Sequence, residues 1–374
     1  MEKIKEVSPQ PLVALVVGVT GMAGFSLAEA LKSPKALGAP WKVYGSARRD
    51  KPSWFPSSLL DGYISFDATD ADDTRNKLAP LSDQVTHLFW VAIQVRETEL
   101  PDITVNAAML ANVLNVLKSS PTSRLSHVTL QTGTKHYLHP FYIAHLNPHG
   151  PPFTEDLPRL PYPNLYYALE DIVSSHAPSL TYSVHRPSII IGASSRSVYN
   201  MLLTLVTYAS ICRHEGLVFR YPGNKYTWEH FCDMSDTRVL AEQQIWAAVT
   251  PHAKNQAFNC TNGDVFAWKS LWKVLCDIFD LEFVPFDESE EYDFVGLMKE
   301  RGKVWDEIVE KHGLCKNKLE EITCPIALYY LLRIEFQHVS SMNKSKEFGF
   351  FGYANTLKSL GMWVERLREM KIVP

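Results

Sequence analysis

The chain has 374 residues, of which 46% are hydrophobic and 21% charged, with a formal net charge of −4. That length is too great for one small core and suits a large α/β unit, or a main domain with a smaller lobe. The mild acidity, with a pI near 6.4, gives no electrostatic footprint for nucleic acid or for an anionic membrane, so neither is expected as a partner.

The opening MEKIKEVSPQP lacks an apolar core of signal-peptide length, and no run of about 18 apolar residues suggests a membrane span; a cytoplasmic protein is expected. Residues 12–18, LVALVVG, form a continuous apolar run rich in β-branched residues, which predicts a strand covered on both faces. A glycine-rich turn and a helical pattern, FSLAEALKS, follow. WKVYGSARR (41–49), YISFDATD (63–70) and THLFWVA (86–92) read as further strands. NAAMLANVLNVLKSS (106–120) has the pattern of an amphipathic helix, and LSHVTLQTG (125–133) of a fifth strand. Residues 138–164, rich in Pro, His and aromatics, read as a long surface loop, of the kind that is usually functional. LYYALEDIVSSH is then helical, and LTYSVHRPSIIIG (180–192) returns as a buried strand. Beyond about residue 195 the pattern is mainly helical, with short strands such as AFNCTNG.

Strands alternating with helices predict a Rossmann-like, doubly wound parallel sheet, with a smaller, mainly helical C-terminal substrate lobe. Residues 1–195 are assigned to the dinucleotide-binding domain with the catalytic residues, and 196–374 to the lobe, with about 228–265 returning to the main domain.

GVTGMAG places Gly18, Gly21 and Gly24 between the first strand and the first helix. Glycines there let the backbone approach a pyrophosphate, while the helix N-terminus supplies free N–H groups and the positive end of its dipole. The end of the second strand decides which nucleotide fits. An Asp or Glu there would bind a ribose 2′-hydroxyl. Arg48 and Arg49 instead suit a 2′-phosphate, which favours NADPH over NADH. Asp67, after the third strand, is read either as an adenine contact or as a loop cap.

Six cysteines (Cys212, Cys232, Cys260, Cys276, Cys315 and Cys324) show no metal-type spacing and read as reduced thiols. His127, His136, His139, His145, His149 and His185 lack supporting Cys or carboxylate spacing, so no metal is expected. Glu170 and Asp171 read as the solvated face of a helix rather than an acid/base dyad. Asn259-Cys260-Thr261 and Asn343-Lys344-Ser345 match the glycosylation sequon by chance.

Later landmarks resemble the extended short-chain dehydrogenase/reductase superfamily: HRPSIIIG (185–192), FCDMSDTRVLAEQQIWAA (231–248) and FNCTNGDVFAWKSLWK (258–273). The catalytic signature of that superfamily, Tyr-x-x-x-Lys, is broken here. Tyr166 is followed at four residues by Glu170, and Tyr167 by Asp171. The stretch TLQTGTKHY (129–137) carries Lys135 where a serine is usual, and a lysine arriving from this strand could replace the missing one. A buried cation close by would lower the pKa of the phenol and strengthen its hydrogen bonding.

Together with PWKVYGSARR, PFTEDLPRLPYPNLYYALEDI, VWDEIVEKHGL and SSMNKSKEFGF, the stretch TGTKHY resembles the progesterone 5β-reductase/iridoid synthase family of plants, over nearly the whole chain. The resemblance implies Lys135 and Tyr166 as the catalytic pair, with Tyr167 the alternative phenol. It implies cofactor contacts at Thr20, Gly21, Met22, Arg48, Arg49, Asp67, Ala68, Gln131, Ile191, Ser197, Val198 and Tyr199. It implies NADPH-dependent reduction of a carbon–carbon double bond conjugated to a carbonyl, with the enolate stabilised by the tyrosine. The substrate class would be a small apolar enone: a 3-oxo-Δ4-steroid, a monoterpene dialdehyde or a smaller enone. Protonation of the α-carbon is assigned to solvent. Relatives suggest a homodimer. The stretches 91–103 and 138–153 depart from the family pattern at the active site. Phe141, Tyr142, Phe153 and Tyr162, with Phe348, Phe350, Phe351 and Tyr353, could cover an apolar substrate, or belong to the core. Tyr208 lies on a helix face read as core or pocket wall. The competing readings are an extended-type dehydrogenase or epimerase, and a non-catalytic NADPH-binding regulator.

Overall fold

The computed structural model describes residues 11–138, 149–289 and 292–374. In chain order its strands are β1 (Leu12–Val17), β2 (Trp41–Ala47), β3 (Gly62–Ser65), β4 (His87–Trp90), β5 (His127–Gln131), β6 (Thr181–Pro187), β7 (Ile189–Ile191), β8 (Phe231–Cys232), β9 (Met234–Asp236), β10 (Gln256–Cys260) and β11 (Phe266–Ala267). The helices are α1 (Met22–Lys32), α2 (Ala71–Leu78), α3 (Glu99–Lys118), α4 (Leu165–Ser174), α5 (Met201–Glu215), α6 (Lys225–Glu229) and α7 (Thr237–Val249). They continue as α8 (Trp268–Phe279), α9 (Phe294–Glu300), α10 (Gly302–His312), α11 (Leu319–Ile322), α12 (Pro325–Leu331), α13 (Asn343–Glu347) and α14 (Thr356–Glu369).

The main sheet has seven parallel strands in the order β10-β6-β5-β4-β1-β2-β3. Because successive side chains of a strand face opposite ways, β1 feeds two cores. Ala14 and Val16 join the apolar layer shared with α1, α5 and α8. Val13, Leu15 and Val17 join the layer under α3 and α4. All five are buried, which is why β1 reads as an uninterrupted apolar run. The strand order reverses beside β1, between β2 and β4, and in such sheets ligands bind in the crevice at the carboxyl ends of those strands.

Two expected elements come out differently. The helix expected over 106–120 begins at Glu99, two turns earlier. Pro101 sits in its first turn, where no intrahelical partner awaits the N–H, so the proline does not break it. Glu99 and Asp102 in that turn favour the positive end of the helix dipole. By length and hydropathy α3 could cross a membrane, yet Met109, Leu110, Val113, Leu114 and Leu117 are buried in the second core, which makes it a core helix. The strand expected over 180–192 splits at Ser188, whose N–H donates to Ser235 Oγ at 2.8 Å. Pro187 has no N–H to carry the ladder on, and β7 pairs with β9 in a separate two-stranded sheet.

The C-terminal helices extend the first of these cores with an aromatic cluster. Phe219 stacks on Trp272 at 4.1 Å, and Tyr208, fully buried, packs against Phe219 and Phe294. Tyr208 is therefore core, not cavity wall.

Candidate active site

A cavity of about 380 Å³ opens at the carboxyl ends of β1, β2, β4 and β5. Its floor is the glycine turn. Gly18 has φ +96°, and a Cβ there would lie 2.9 Å from the backbone of Ala92. Gly21 caps α1 without offering a side chain, which leaves the first N–H groups of the helix directed at the cavity. One of them, Met22 N–H, donates to Ser197 Oγ at 2.8 Å. Ser194 Oγ donates to the Thr20 carbonyl at 2.7 Å, so the 192–200 segment is laced onto the turn. These are the features a pyrophosphate cradle requires. Gly24 does not line the cavity. A Cβ on it would fall 2.3 Å from the Gly18 carbonyl, so its role is the close approach of α1 to the turn.

Arg48 and Arg49 stand at one end of the cavity, and Arg196, from the segment after β7, joins them. No ion pair ties any of the three to a carboxylate among the described residues, although Glu321 lies close enough to offset part of the charge. Burial lowers the Arg49 pKa, and the Arg196 and Arg48 charges lower it further. Three crowded guanidiniums without a full counter-charge are suited to an anion. Asp67 lines the same cavity, but its Oδ1 already accepts from the N–H and hydroxyl of Thr69, at 3.0 and 2.8 Å, which is the capping role. Ala68, Gln131, Ser197, Val198 and Tyr199 also line the cavity. Ile191 does not; it is buried in the core, and Ile189 and Ile190 face the cavity instead.

At the other end, β5 ends in TGTKHY, which folds as a single tight turn over Thr134–Tyr137. Tyr166 is the second residue of α4 and lies half-buried in the cavity wall. Its ring passes beside Gly133, where a Cβ would come within 3.3 Å of the phenol oxygen. Lys135 lines the same cavity, and its ammonium donates to Glu99 Oε2. Glu99 Oε1 accepts the Leu165 N–H at 2.6 Å. Asn164 caps α4 by accepting the Tyr166 N–H at 2.9 Å, and donates from Nδ2 to the Lys135 carbonyl at 3.0 Å. The lysine turn and the tyrosine helix are thus joined twice.

The electrostatics differ from the simple expectation of a cation lowering a phenol's pKa. Burial raises the Tyr166 pKa above its ordinary value, and Tyr199, Glu99 and Asp102 add to the rise. The ammonium is paired with Glu99, so the hydroxyl remains a phenol and a donor. Tyr167, the alternative phenol, is committed elsewhere: its hydroxyl donates to the His136 carbonyl at 2.6 Å and accepts the Leu160 N–H at 3.0 Å.

Glu170, at the position a standard lysine would hold, is not on a solvated face. It is buried against Arg186, with Oε2 3.1 Å from Nη2, and against His136, with Nδ1 3.1 Å from Oε1. Burial pushes its pKa up, but the hydrogen bonds and charges of His136 and Arg186 outweigh that and bring it down to about 2. Asp171 is exposed and pairs with Arg159. Among the described residues no three His, Cys, Asp or Glu side chains are grouped to hold a metal. His127 and His185 share Ser183 Oγ, at 3.2 and 3.1 Å.

Among the described residues, the aromatics weighed as a substrate cover do not line the cavity. Phe153 is fully buried and stacked on Tyr137 at 5.2 Å. Phe350 packs on Trp246 and Phe348 on Phe258, while Phe351 and Tyr353 are 72% and 82% exposed. Tyr162 does not line the cavity. Phe141, Tyr142, His139 and His145 lie outside the described residues. The apolar wall consists instead of Ile93, Leu138, Met201, Ala327 and Leu331, with Val198 and Tyr199 partly exposed at its edge. Ala327 and Leu331 belong to α12, which nothing in the local pattern marks as a pocket wall. His338 lines the cavity too, its Nε2 2.9 Å from Thr134 Oγ1 and its Nδ1 3.2 Å from Ser188 Oγ. Arg196 and Glu99 were not singled out from the sequence; the only signal was a charged residue just after a strand and an acid in a first helical turn.

A family model for a PRISE-like Rossmann-fold domain matches residues 65–374. The chain is 47% identical over 366 residues to the 3-oxo-Delta(4,5)-steroid 5-beta-reductase of Arabidopsis thaliana, which covers 97% of this chain and 93% of that one. It is 48% identical over 367 residues to the (S)-8-oxocitronellyl enol synthase CYC2 of Camptotheca acuminata, with the same coverage. Against the (S)-8-oxocitronellyl enol synthase of Catharanthus roseus it is 46% identical over 369 residues, covering 97% and 92%. Among solved structures, the UDP-glucuronic acid 4-epimerase of Bacillus cereus in complex with NAD superimposes with a TM-score of 0.65 at 12% identity, over 96% of this chain and all of that one. The Bordetella bronchiseptica enzyme WbmH in complex with NAD+ gives 0.63 at 16% identity, over 96% and 99%. These last two likenesses speak for the fold. Identity approaching one half along almost the entire length speaks for more, and the chain belongs to the PRISE-like Rossmann-fold family, the progesterone 5β-reductase/iridoid synthase group that its motifs resemble.

Proposed function

We propose that the protein is an NADPH-dependent reductase of α,β-unsaturated carbonyl compounds, with Tyr166 and Lys135 as its catalytic pair. The observation that carries this reading is the meeting of the two residues, 31 positions apart in sequence, in one cavity that begins at a glycine cradle. The named activities of the relatives, a steroid 5β-reductase and enol synthases, support the reaction class. The arginines at the far end, in no ion pair among the described residues, support the phosphorylated dinucleotide over NADH. Thr20, Met22 and Ser197 would hold the pyrophosphate, and Lys135 the nicotinamide ribose.

When bound, the reduced nicotinamide supplies a hydride to the β-carbon of the enone. The displaced electron pair collects on the carbonyl oxygen as an enolate, and a proton from solvent then completes the saturated product at the α-carbon. Tyr166 donates its hydroxyl hydrogen to that oxygen, and because burial and the neighbouring acids keep the phenol protonated, the donor is present throughout. Lys135, its charge offset by Glu99, contributes position. The apolar wall of Ile93, Leu138, Met201, Ala327 and Leu331 suits a small apolar enone, whether steroid, monoterpene dialdehyde or smaller.

The test is NADPH oxidation with 2-cyclohexen-1-one, progesterone and 8-oxogeranial in parallel. Turnover of at least one is expected. Tyr166→Phe should lower kcat by about 10²–10³-fold, as lost oxyanion donors do, with NADPH affinity retained. Tight NADPH binding without turnover of any enone would overturn the reading.

A further inference from the structure

A lysine placed one helical turn beyond a tyrosine is held in register by the helix itself. Here the two residues sit on different elements with 31 positions between them, and the 139–148 part of the connection lies outside the described residues. Something other than chain continuity must fix one against the other.

We propose that Glu99 is a positioning residue for the catalytic pair, one carboxylate that holds the Lys135 ammonium with Oε2 and the first amide of the tyrosine's helix with Oε1. The assignment rests on Tyr166 and Lys135 being that pair. Glu99 suits the task for three reasons. It starts α3, where the dipole favours a carboxylate. It is shielded, with 17% of its side chain exposed, and so is Lys135 at 22%, so the pair is less screened than a surface ion pair. The α4 amide it takes is that of Leu165, directly before Tyr166, so any shift of the carboxylate moves ammonium and phenol together. Asn164 supplies the second tie, from the α4 cap to the Lys135 carbonyl.

The charge of Glu99 also matters. The groups acting on the phenol are Tyr199 from the segment after β7 and Glu99 and Asp102 from the first turn of α3, while Lys135, from the turn after β5, joins this set through its pair with Glu99. Asp102 is engaged with the Arg96 N–H at 2.5 Å, and the Arg96 guanidinium with Gln94. Glu99 therefore offsets the charge of the Lys135 ammonium it holds. The acid holds the lysine and limits its effect on the phenol.

The experiment compares wild type, Glu99→Gln, Tyr166→Phe, Lys135→Met and Glu99→Gln with Lys135→Met, using enone turnover across pH together with NADPH titration and thermal melting. Glu99→Gln keeps the size of the side chain and removes its charge. Its kcat should fall about 10²-fold, the scale of a small misplacement in an active site, with the enone KM little changed. The alkaline limb of its kcat–pH profile should move to lower pH, because the freed ammonium stabilises tyrosinate. In the Lys135→Met background the substitution should cost far less than it does alone, because the two act through one contact. A wild-type profile in Glu99→Gln, while Tyr166→Phe is impaired, would overturn this role and leave the catalytic pair standing. So would a uniform loss of kcat with a lowered melting temperature and an unmoved alkaline limb, which is the mark of a purely structural residue. Full turnover by Tyr166→Phe would sink both.

Discussion

Replacement of Arg196 by alanine is expected to weaken NADPH binding and leave NADH binding unchanged. A shielded, charge-assisted hydrogen bond is worth roughly 1.5–3 kcal/mol. Arg48 and Arg49 are exposed and Arg196 half-buried, so solvent and salt reduce each to about 1 kcal/mol. At 1.4 kcal/mol per tenfold, one guanidinium amounts to about 5-fold in Kd, and the three together to on the order of 10²-fold. Part of the gain is already visible in the free protein, because Arg49 is lowered in pKa by burial and by repulsion from Arg196 and Arg48, and a dianion relieves that repulsion. The assay is fluorescence titration of wild type, Arg196→Ala and the Arg48→Ala/Arg49→Ala double variant with both dinucleotides at low and high salt. NADPH should lose its advantage stepwise, and the advantage should shrink as salt rises. Equal losses for NADH and NADPH, or a wild type that binds both alike, would refute the assignment of this end of the cavity to a 2′-phosphate.

Two further outcomes concern stability. Glu170→Ala leaves the Arg186 guanidinium buried beside Tyr137 without its carboxylate, which should cost roughly 3–5 kcal/mol in urea denaturation; a change under 1 kcal/mol would show that the pair contributes little. Acidification below pH 6.5 should lower the melting temperature. Burial brings His87, His185 and His338 each down to about 4 from an ordinary 6.5. A pKa depressed on folding gives stability that is whole above 6.5 and drains away toward 4, about 3 kcal/mol per histidine over the full window. Asp233 acts in the opposite sense: its carboxyl, pushed up to about 7 by burial, favours the fold as pH falls. Three histidines outweigh it, and a melting temperature that holds or rises between pH 6.5 and 5 would contradict this balance.

The parts of the molecule legible in the sequence are those fixed by neighbours along the chain. β1 announces its burial because each of its residues meets one core or the other. The glycine turn is legible because close backbone approach at Gly18 and Gly24 admits no other residue. Lys135 could be suspected because the expected helix lacked its lysine. What stayed hidden depends on residues distant in sequence. Glu170 reads as a solvated acid until Arg186 and His136 fold against it. The start of α3 lies two turns before the pattern over 106–120, with Pro101 harmless in its first turn. Phe351 and Tyr353 read as pocket cover or core and stand in solvent, while Ala327 and Leu331, without any local pattern, form the wall.

The hydrogen bond from Asn164 Nδ2 to the Lys135 carbonyl closes the intervening chain into a loop with a fixed neck. Lengthening such a loop costs little, because closure entropy grows only with the logarithm of its length. Phe153, buried against Tyr137, and the Leu160 N–H on the Tyr167 hydroxyl pin later parts of that loop to the fold, so a change of its length has to preserve both anchors. The Asn164 tie therefore keeps the Lys135 turn against the start of the Tyr166 helix whatever the length of chain between them.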